Sequence, residues 1–453
     1  MAIADDLARI LSQGALPGPA LMEALGVSQP TLSRQLNALV NQGRVLRIGS
    51  TRGARYALRR EIPEIGSSWP LYRVDEHGNV GLVGKLYALA ADQYFFEAGD
   101  ATFAPSALTH GLPYFLQDQR PGGFLGRAVP QRHPELKLPQ RVIDWTDDHY
   151  LSYFTRHGGE AVSNLILGDA AFSEYLASLR SRSPIGNKAT EYPRLLRAAI
   201  EGGLPGSSAP GEHPKFTALV RDEQGEGHML VKFSPPLSTP IGQRWSDLLV
   251  AEHTAHVTLS GAEVLACRSR IHFFDNHTFL EVDRFDRSGA DGRIGVTSLF
   301  AIDLARYGRL DNWIAAAGRL LADRMIDPAT AERMRLVATF GALIANTDRH
   351  FGNLAFYDAY DSKLTLAPIY DMLPMLFAPE HNQIIPREFV PPHPTAEAVG
   401  SYAIAREIAE QYWQALIDDT RVSDDFRGIS AKCLAALRAL PRSGPYSQRP
   451  AQR

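Results

Sequence analysis

The segment 340–377 constrains the fold of this chain more than any other part of the sequence. An apolar-faced helix runs into the polar turn NTDRHFGN at 346–353, and two short strands around a second turn follow before Asp371. This order of elements predicts a β-hairpin at the end of a helix. We therefore expect Asp348, Asn353 and Asp371 to gather at one end of that hairpin.

The spacing of these three residues favours phosphoryl-transfer chemistry. Asp348 and Asn353 have the spacing of the protein kinase catalytic loop, in which the Asp is the base and the Asn binds Mg²⁺. Asp371 then takes the place of the second magnesium carboxylate. The reaction needs a carboxylate to accept the proton of the incoming hydroxyl, and Mg²⁺ prefers oxygen ligands. The alternative is an ordinary polar turn between a helix and a strand.

A glycine-rich loop and a strand lysine precede this segment. The stretch 202–215 is rich in Gly, Pro and Ser, and the apolar strand Met229–Phe233 that follows contains Lys232. Backbone N–H groups of such a loop approach phosphate oxygens closely, and kinases combine a loop of this kind with a strand lysine. The strand Thr278–Arg284 runs into Phe285 and resembles a kinase hinge. Taken singly, the loop and the lysine are also typical of a surface loop and an exposed strand position.

Four motifs together resemble the HipA family, which are bacterial Ser/Thr protein kinases of toxin–antitoxin systems. The motifs are SSAPGEHPKF, FLEVDRFDR, NTDRHFGN and LAPIYDMLP, and the resemblance covers residues 70–440. It implies an α+β fold, namely a two-lobed HipA-like kinase with a mixed β N-lobe and an α-helical C-lobe. It also implies ATP and Mg²⁺ as cofactors.

The resemblance implies a role for each matching residue of this chain. Asp348 becomes the catalytic aspartate, and Asn353 and Asp371 become the magnesium ligands. The implied ATP-binding residues are Lys232 at the phosphates, Gly211 in the loop, Asp283 and Phe285 through hinge backbone groups, and His350 near the nucleotide.

The loop SSAPGEHPK matches the segment that HipA kinases autophosphorylate. Ser207 and Ser208 are the implied phosphate acceptors, and phosphorylation ejects the loop and silences the enzyme. The family loop commonly reads SSxGGEQPK, so Pro210 and His213 replace a Gly and a Gln here. Because Pro fixes its backbone torsion, this loop is expected to be stiffer than the family pattern.

The first 60 residues, called the head below, carry a charge opposite to that of the rest of the chain. They hold eight Arg and three acids, a balance of +5, whereas the whole chain has a net charge of −3. Three short helices are predicted, with Gly26 ending the second and Ser28 capping the third. Two alternating segments around a Gly/Ser/Thr turn then predict a β-hairpin.

This arrangement resembles a winged helix-turn-helix, and the basic charge favours DNA as its partner. The alternative is a small protein-docking module with a solvated basic face. The residues expected to contact DNA lie at the start of the third helix and on the hairpin: Gln29, Thr31, Ser33, Arg34, Arg47, Arg52 and Arg55.

The composition changes divide the chain into five parts. The expected division is a winged helix-turn-helix at 1–60, a linker at 61–70, a kinase N-lobe at 71–285, an α-helical C-lobe at 286–440 and a disordered tail at 441–453. Two cysteines without metal-site spacing and the lack of a long apolar run predict a cytoplasmic bacterial protein without membrane contact.

Three functional hypotheses remain open from the sequence. The first is an autophosphorylating Ser/Thr kinase that phosphorylates a protein such as a translation factor, binds DNA through its head, and pairs with an antitoxin or with a second copy of itself. The second is a DNA-binding transcriptional regulator whose kinase-like body only senses nucleotide. The third is a metal-dependent nuclease toxin in which the Asp/His/Asn/Asp cluster uses magnesium to activate water.

Overall fold

A computed structural model of the chain describes most of the sequence. The described residues are 2–50, 53–100, 102–201, 213–223, 225–357 and 363–441.

The head has the predicted helix–turn–helix followed by a β-hairpin. Gly26 ends the second helix with a left-handed φ of 63°, as predicted. Ser28 has the predicted N-cap position of the third helix, but its side chain makes no capping hydrogen bond. The small apolar core of the head includes Leu21, Leu32 and Leu36. A two-residue strand that the sequence did not predict joins the hairpin in the order β1-β3-β2. The elements are α1 (Ala2–Leu11), β1 (Leu16–Pro17), α2 (Gly18–Leu25), α3 (Gln29–Asn41), β2 (Val45–Ile48) and β3 (Arg55–Leu58).

An antiparallel sheet with its own apolar core follows the head, and we call residues 68–181 the middle unit. Its strand order is β7-β6-β5-β4-β8, and helices cover the sheet. Ile62 and Trp69 contribute to this core. The elements are β4 (Ser68–Val74), β5 (Val80–Ala88), β6 (Gln93–Ala98), β7 (Ala107–His110), α4 (Gly123–Arg127), α5 (Val129–Arg132), α6 (Asp147–His157), β8 (Leu165–Leu167) and α7 (Asp169–Ser181).

A second antiparallel sheet carries the strand lysine. Its order is β11-β12-β10-β9, and helix α9 crosses it. Gly242 in the first turn of α9 lies so close to Pro236 that a Cβ would overlap the Pro236 carbonyl, which keeps this end of the helix against the loop before it. The elements are α8 (Lys188–Glu201), β9 (Lys215–Asp222), β10 (Gly225–Phe233), α9 (Pro240–Gly261), β11 (Ser269–Phe274), β12 (His277–Asp283), β13 (Arg287–Ser288) and β14 (Gly292–Arg293).

The C-terminal part is helical around the predicted hairpin. β16 pairs with β17 as expected, and β15 completes a small sheet. Trp413 is fully buried, and its indole N–H donates to the Leu343 carbonyl at 3.1 Å. The elements are β15 (Val296–Ser298), α10 (Leu299–Arg306), α11 (Trp313–Ala322), α12 (Pro328–Leu343), β16 (Ala355–Tyr357), β17 (Thr365–Leu366), α13 (Val399–Asp418) and α14 (Asp424–Ala439).

This architecture confirms the predicted α+β class, with a strand-rich part followed by a helical one. The division of the chain into five parts stays a prediction. Among the described residues, no helix combines the length and the hydropathy that crossing a bilayer requires.

Candidate active site

Side chains from three elements meet at a buried lysine. The Lys232 Nζ on β10 donates to both carboxylate oxygens of Glu252 on α9 at 2.7 Å, and it also donates to Asp371. Lys232 and Glu252 are 5% and 1% exposed. Asp371 follows an extended segment that contains Ile369. Backbone hydrogen bonds join Ile369 to Leu265 and Cys267, so this segment is attached to the strand-rich part.

The charges at this point stabilise one another. Burial alone would lower the pKa of Lys232, but Asp371 and Glu252 raise it above its ordinary value. Burial would likewise raise the pKa of Asp371, but Lys232 and Lys215 hold it well below the usual range for a carboxyl group. Lys215 lies on β9 directly opposite Lys232 in the register, so a second positively charged side chain lies next to Lys232. An ionised carboxylate beside two ammonium groups suits the binding of a metal and phosphates.

Two asparagines hold the loop that carries Asp348. The Asp348 N–H donates to the Asn346 side chain at 2.9 Å, and the Asn353 side-chain amide donates to the Asp348 carbonyl at 2.8 Å. The Asn346 amide also donates to the Asp371 carbonyl at 3.3 Å. Asp371 itself has a φ of 51°, an uncommon value for a residue with a side chain. This network brings the three predicted residues Asp348, Asn353 and Asp371 together.

Asp348 is half-buried, and its acidity differs from that of Asp371. Burial raises the pKa of the Asp348 carboxyl above its usual value, with His350 opposing the shift and Asp371 adding to it. Two neighbouring carboxyl groups with pKa values displaced in opposite directions are typical of a catalytic site.

A cavity and a cleft meet at the Asp348 loop. The cavity, of about 480 Å³, reaches Lys232, Glu252 and Asp371 and is lined elsewhere mainly by apolar side chains. The cleft, of about 820 Å³, is lined by Asp348 and the residues after it and by 392–402. Gly352 lines both. Asp371 therefore faces the cavity, whereas Asp348 lines the cleft.

The structure places the predicted hinge residues in the wall of the cavity. Asp283 and Phe285 both line it. The Asp283 N–H already donates to the Arg268 carbonyl at 2.9 Å, whereas the backbone of Phe285 makes no hydrogen bond to another described residue. His350 lines the cleft and not the cavity, and its Nδ1 accepts from the Gly352 N–H at 3.0 Å.

Four predicted site residues lie outside the described part of the chain: Ser207, Ser208, Gly211 and Arg52. The residues that follow the loop are described. The His213 ring packs on Trp245 of α9 with centroids 4.5 Å apart, and the Pro214 carbonyl accepts from the Phe233 N–H at 3.2 Å. The C-terminal end of the loop is thus held beside the strand that carries Lys232.

The described residues among the predicted DNA contacts lie on α3, β2 and β3 of the head. Five are exposed, namely Gln29, Ser33, Arg34, Arg47 and Arg55, and Thr31 is half-buried. The Thr31 hydroxyl lies 3.1 Å from that of Ser28, so it is engaged within the helix cap.

Sequence reasoning missed three residues of the site: Glu252, Lys215 and Asn346. The signal for Glu252 was one acid at the end of the apolar run Leu248–Ala251 within a helix. Asn346 lies in the quoted motif but was given no role. Lys215 likewise lies in the quoted motif SSAPGEHPKF but was given no role, because its place opposite Lys232 depends on the pairing of β9 with β10.

Comparison with known proteins agrees with this architecture. The family model "HipA-like C-terminal domain" matches residues 207–433, "YjjJ-like toxin, middle domain" matches 65–176, and "Bacterial regulatory protein, arsR family" matches 19–45. Toxin YjjJ of Escherichia coli strain K12 is 32% identical over 443 residues, covering 96% of this chain and 98% of that protein. The chain belongs to the HipA-like toxin family.

A solved structure of the family shows the same fold. It is the HipA, HipB and operator DNA complex of the Shewanella oneidensis MR-1 toxin–antitoxin system, one chain of which aligns with a TM-score of 0.57. The alignment covers 82% of this chain and 96% of that chain at 15% identity. This HipA-like chain additionally carries an arsR-type helix-turn-helix at its N-terminus.

Proposed function

We propose that this HipA-like protein is an ATP- and Mg²⁺-dependent Ser/Thr protein kinase that autophosphorylates and binds DNA through its head. The observation that carries the proposal is the contact of Lys232 with both Glu252 and Asp371 beside the Asp348 loop. Protein kinases need this strand-lysine–helix-glutamate pair and a metal-binding aspartate in place for phosphoryl transfer.

The cavity suits ATP in shape and in chemistry. Leu230 and Val282 would provide apolar contacts for a base, and the backbone groups of Phe285, which bond no other described residue, would meet its polar edge. Lys232 and Lys215 supply positive charge for the phosphates. The side-chain oxygens of Asn353 and Asp371 are donors of the kind that Mg²⁺ prefers, and the bound ion supplies charge neutralisation at the phosphates.

Asp348 is the group that would accept a proton. A protein substrate enters through the cleft, and its hydroxyl meets Asp348 while ATP occupies the cavity on the other side of Gly352. The asparagine bonds to the Asp348 backbone hold the carboxylate in position before the substrate arrives. The substrate would be a protein such as a translation factor, and the cleft volume of about 820 Å³ leaves room for a peptide segment.

Autophosphorylation would take place on Ser207 or Ser208. His213 and Pro214, which follow this loop in the chain, are held beside the strand that carries Lys232, and this supports the proposal. A phosphate adds roughly −1.5 to −2 charges, and the Asp348 and Asp371 carboxylates repel it. The phosphorylated loop then leaves, and ATP binding weakens.

The head would bind DNA, and partner proteins would follow the family pattern. The helix-turn-helix match and the exposed Arg34, Arg47 and Arg55 support DNA binding. The Shewanella HipA was solved with HipB and operator DNA. An antitoxin partner, a homodimer on a palindromic site and a cytoplasmic location are consistent with this function.

The test is incubation of the pure chain with labelled ATP and, separately, with plasmid DNA, each with and without Mg²⁺. Asp348→Ala and Asp371→Ala are expected to lose phosphoryl transfer by at least ~10²-fold while staying folded. Asp418→Ala, an exposed carboxylate on α13 outside the cavity, is the control and keeps full activity. Activity of Asp371→Ala within a few-fold of wild type contradicts the kinase, and Mg²⁺-dependent plasmid cleavage supports the nuclease instead.

A further inference from the structure

Two histidines and two glutamates that line neither the cavity nor the cleft come together in the middle unit. The Glu135 Oε1 lies 3.3 Å from the His133 Nδ1 and 3.1 Å from the His157 Nε2. The two imidazole rings stack with centroids 3.8 Å apart. On its other side, the His157 Nδ1 lies 3.1 Å from the Glu174 Oε1. We propose that His133, Glu135 and His157 bind a divalent cation of the zinc class.

The donor atoms and their separations suit such an ion. The three ligand atoms lie within 4.8 Å of one another. Zinc bonds to histidine nitrogen and carboxylate oxygen are about 2.0–2.2 Å long, so tetrahedral ligand atoms lie about 3.3 Å apart. The Glu135 Oε1 lies 3.1 Å from the His157 Nε2 and 3.3 Å from the His133 Nδ1, which matches this distance between two ligand atoms. Two imidazoles and one carboxylate select Zn²⁺, Co²⁺ or Ni²⁺ over Mg²⁺ and Ca²⁺, which prefer oxygen ligands only.

Glu174 supplies the supporting contact that metal-bound histidines commonly have. A histidine that ligates through one ring nitrogen usually donates the N–H of the other to a carboxylate, which sets the tautomer and the ring orientation. Here the His157 Nδ1 lies 3.1 Å from Glu174, so the tautomer that donates its Nδ1–H to Glu174 has the Nε2 lone pair towards Glu135. Glu174 is therefore a positioning residue and not a ligand.

The backbone around the ligands is restrained. His133 follows α5 directly, and its N–H donates to the Val129 carbonyl at 2.9 Å. The buried Leu136 holds the segment that carries Glu135, and His157 is the last residue of α6. With side-chain exposures of 25%, 54% and 22% for His133, Glu135 and His157, the site is open enough for an ion to enter and for water to take a fourth position.

Binding of an ion here would stabilise one wall of the cavity. Val129 on α5 and Tyr153 on α6 both line the cavity, and the Tyr153 ring packs on His133. An ion that joins the end of α5 to the end of α6 would hold these two side chains together. The proposal concerns binding and does not depend on the reaction proposed above.

The experiment uses the full chain freed of metal with a chelator, and Co²⁺ is the probe because its visible absorption reports a tetrahedral site. We expect one equivalent of Co²⁺ to bind with this spectrum, Zn²⁺ but not Mg²⁺ to displace it, and Zn²⁺ to raise the melting temperature of the wild type but not that of Glu135→Gln. His133→Ala, His157→Ala and Glu135→Gln should each abolish the spectrum. Glu174→Gln should weaken binding by about 10- to 100-fold without abolishing it.

Two control variants separate this site from the other histidines and from the cavity. His77→Ala removes an exposed histidine of the middle unit, and Asp371→Asn removes a proposed magnesium ligand; both should keep the Co²⁺ spectrum. Glu135→Gln alters an exposed side chain and keeps its size, so it remains informative if a histidine variant fails to fold. Absence of the tetrahedral spectrum in the wild type, or its persistence in Glu135→Gln and a folded histidine variant, would show that the cluster is only a set of ion pairs.

Discussion

At the scale of single residues, Lys232 connects parts of the chain that are far apart in sequence. Its two carboxylate partners come from α9 and from the segment after β17. A buried ammonium group needs such partners, because removing one of them leaves charge poorly compensated inside the protein. The position of Lys232 therefore depends on Glu252 as well as on its own strand.

Glu252→Gln is expected to lower phosphoryl transfer by about 10- to 100-fold, since Lys232 would then turn towards Asp371 alone. The measurement is initial rate against ATP concentration, with circular dichroism to confirm folding. Glu263→Gln, an exposed acid just after α9, is the matched control and should keep the wild-type rate. A Glu252→Gln rate within two-fold of wild type would show that this contact is structural.

At the scale of elements, one buried carboxylate attaches α8 to the second sheet. Glu281 on β12 is fully buried and accepts hydrogen bonds from Lys188 and Tyr192 of α8 and from Arg270 of β11. Burial alone would raise its pKa, but the neighbouring His272 and the hydrogen bonds from Lys188 and Tyr192 lower the pKa of Glu281 from 4.5 to about 2. Helix α8, which precedes the serine-bearing loop, is thus attached to the sheet by an ion pair and a hydrogen bond to Glu281.

This pKa predicts how the free energy of unfolding depends on pH. Because Glu281 is more acidic in the folded chain, its contribution of about 3 kcal/mol is present in full above pH 4.5 and disappears as the pH falls towards 2. Glu281→Gln should therefore lower the free energy of unfolding by about 3 kcal/mol at pH 7 and by much less near pH 2. Urea unfolding at several pH values measures it, with Glu191→Gln on α8 as the control. An equal cost at both pH values would exclude the charge as the cause.

The third helix of the head and its hairpin should act as one electrostatic surface. Arg34→Ala and Arg47→Ala are each expected to weaken binding of the full chain to a mixed-sequence duplex and to reduce the slope of log K against log salt by about 0.9. Fluorescence anisotropy at four salt concentrations measures both. Arg9→Ala on α1, which pairs with Asp6, should leave the slope unchanged. An unchanged slope in the first two variants would favour the protein-docking alternative.

At the scale of the whole molecule, the head is attached to the middle unit by specific contacts. The Ala15 N–H donates to the Gln93 side chain at 2.8 Å, and Ala57, Leu89 and Phe95 pack together across the boundary. Arg60 contacts both Asp148 oxygens, at 2.8 and 2.6 Å. These contacts restrict the orientation of the DNA-contacting face relative to the body.

Asp148→Asn should loosen this attachment at a cost of about 1 kcal/mol, a modest value because both side chains are partly exposed. We expect faster limited proteolysis between the head and the middle unit, measured by mass spectrometry of the fragments. Asp144→Asn changes a more exposed ion pair and is the control. Equal cleavage rates in wild type and Asp148→Asn would show that the apolar contacts alone hold the head.

The sequence by itself determined the local parts of this protein. The end of α2 at Gly26, the start of α3 after Ser28 and the two hairpins follow from backbone and turn preferences within a few residues. The gathering of Asp348, Asn353 and Asp371 follows too, because a short hairpin separates them and brings its ends together.

Only the tertiary structure decided the rest of the site. Glu252 reaches Lys232 because α9 crosses the sheet, and Lys215 faces it because of the register between β9 and β10. The middle unit supplies a wall of the cavity and the cluster of His133, Glu135 and His157, which lie on separate elements. Such contacts depend on how whole elements pack, and packing is governed by the shape and burial of many side chains at once, which no short stretch of sequence encodes.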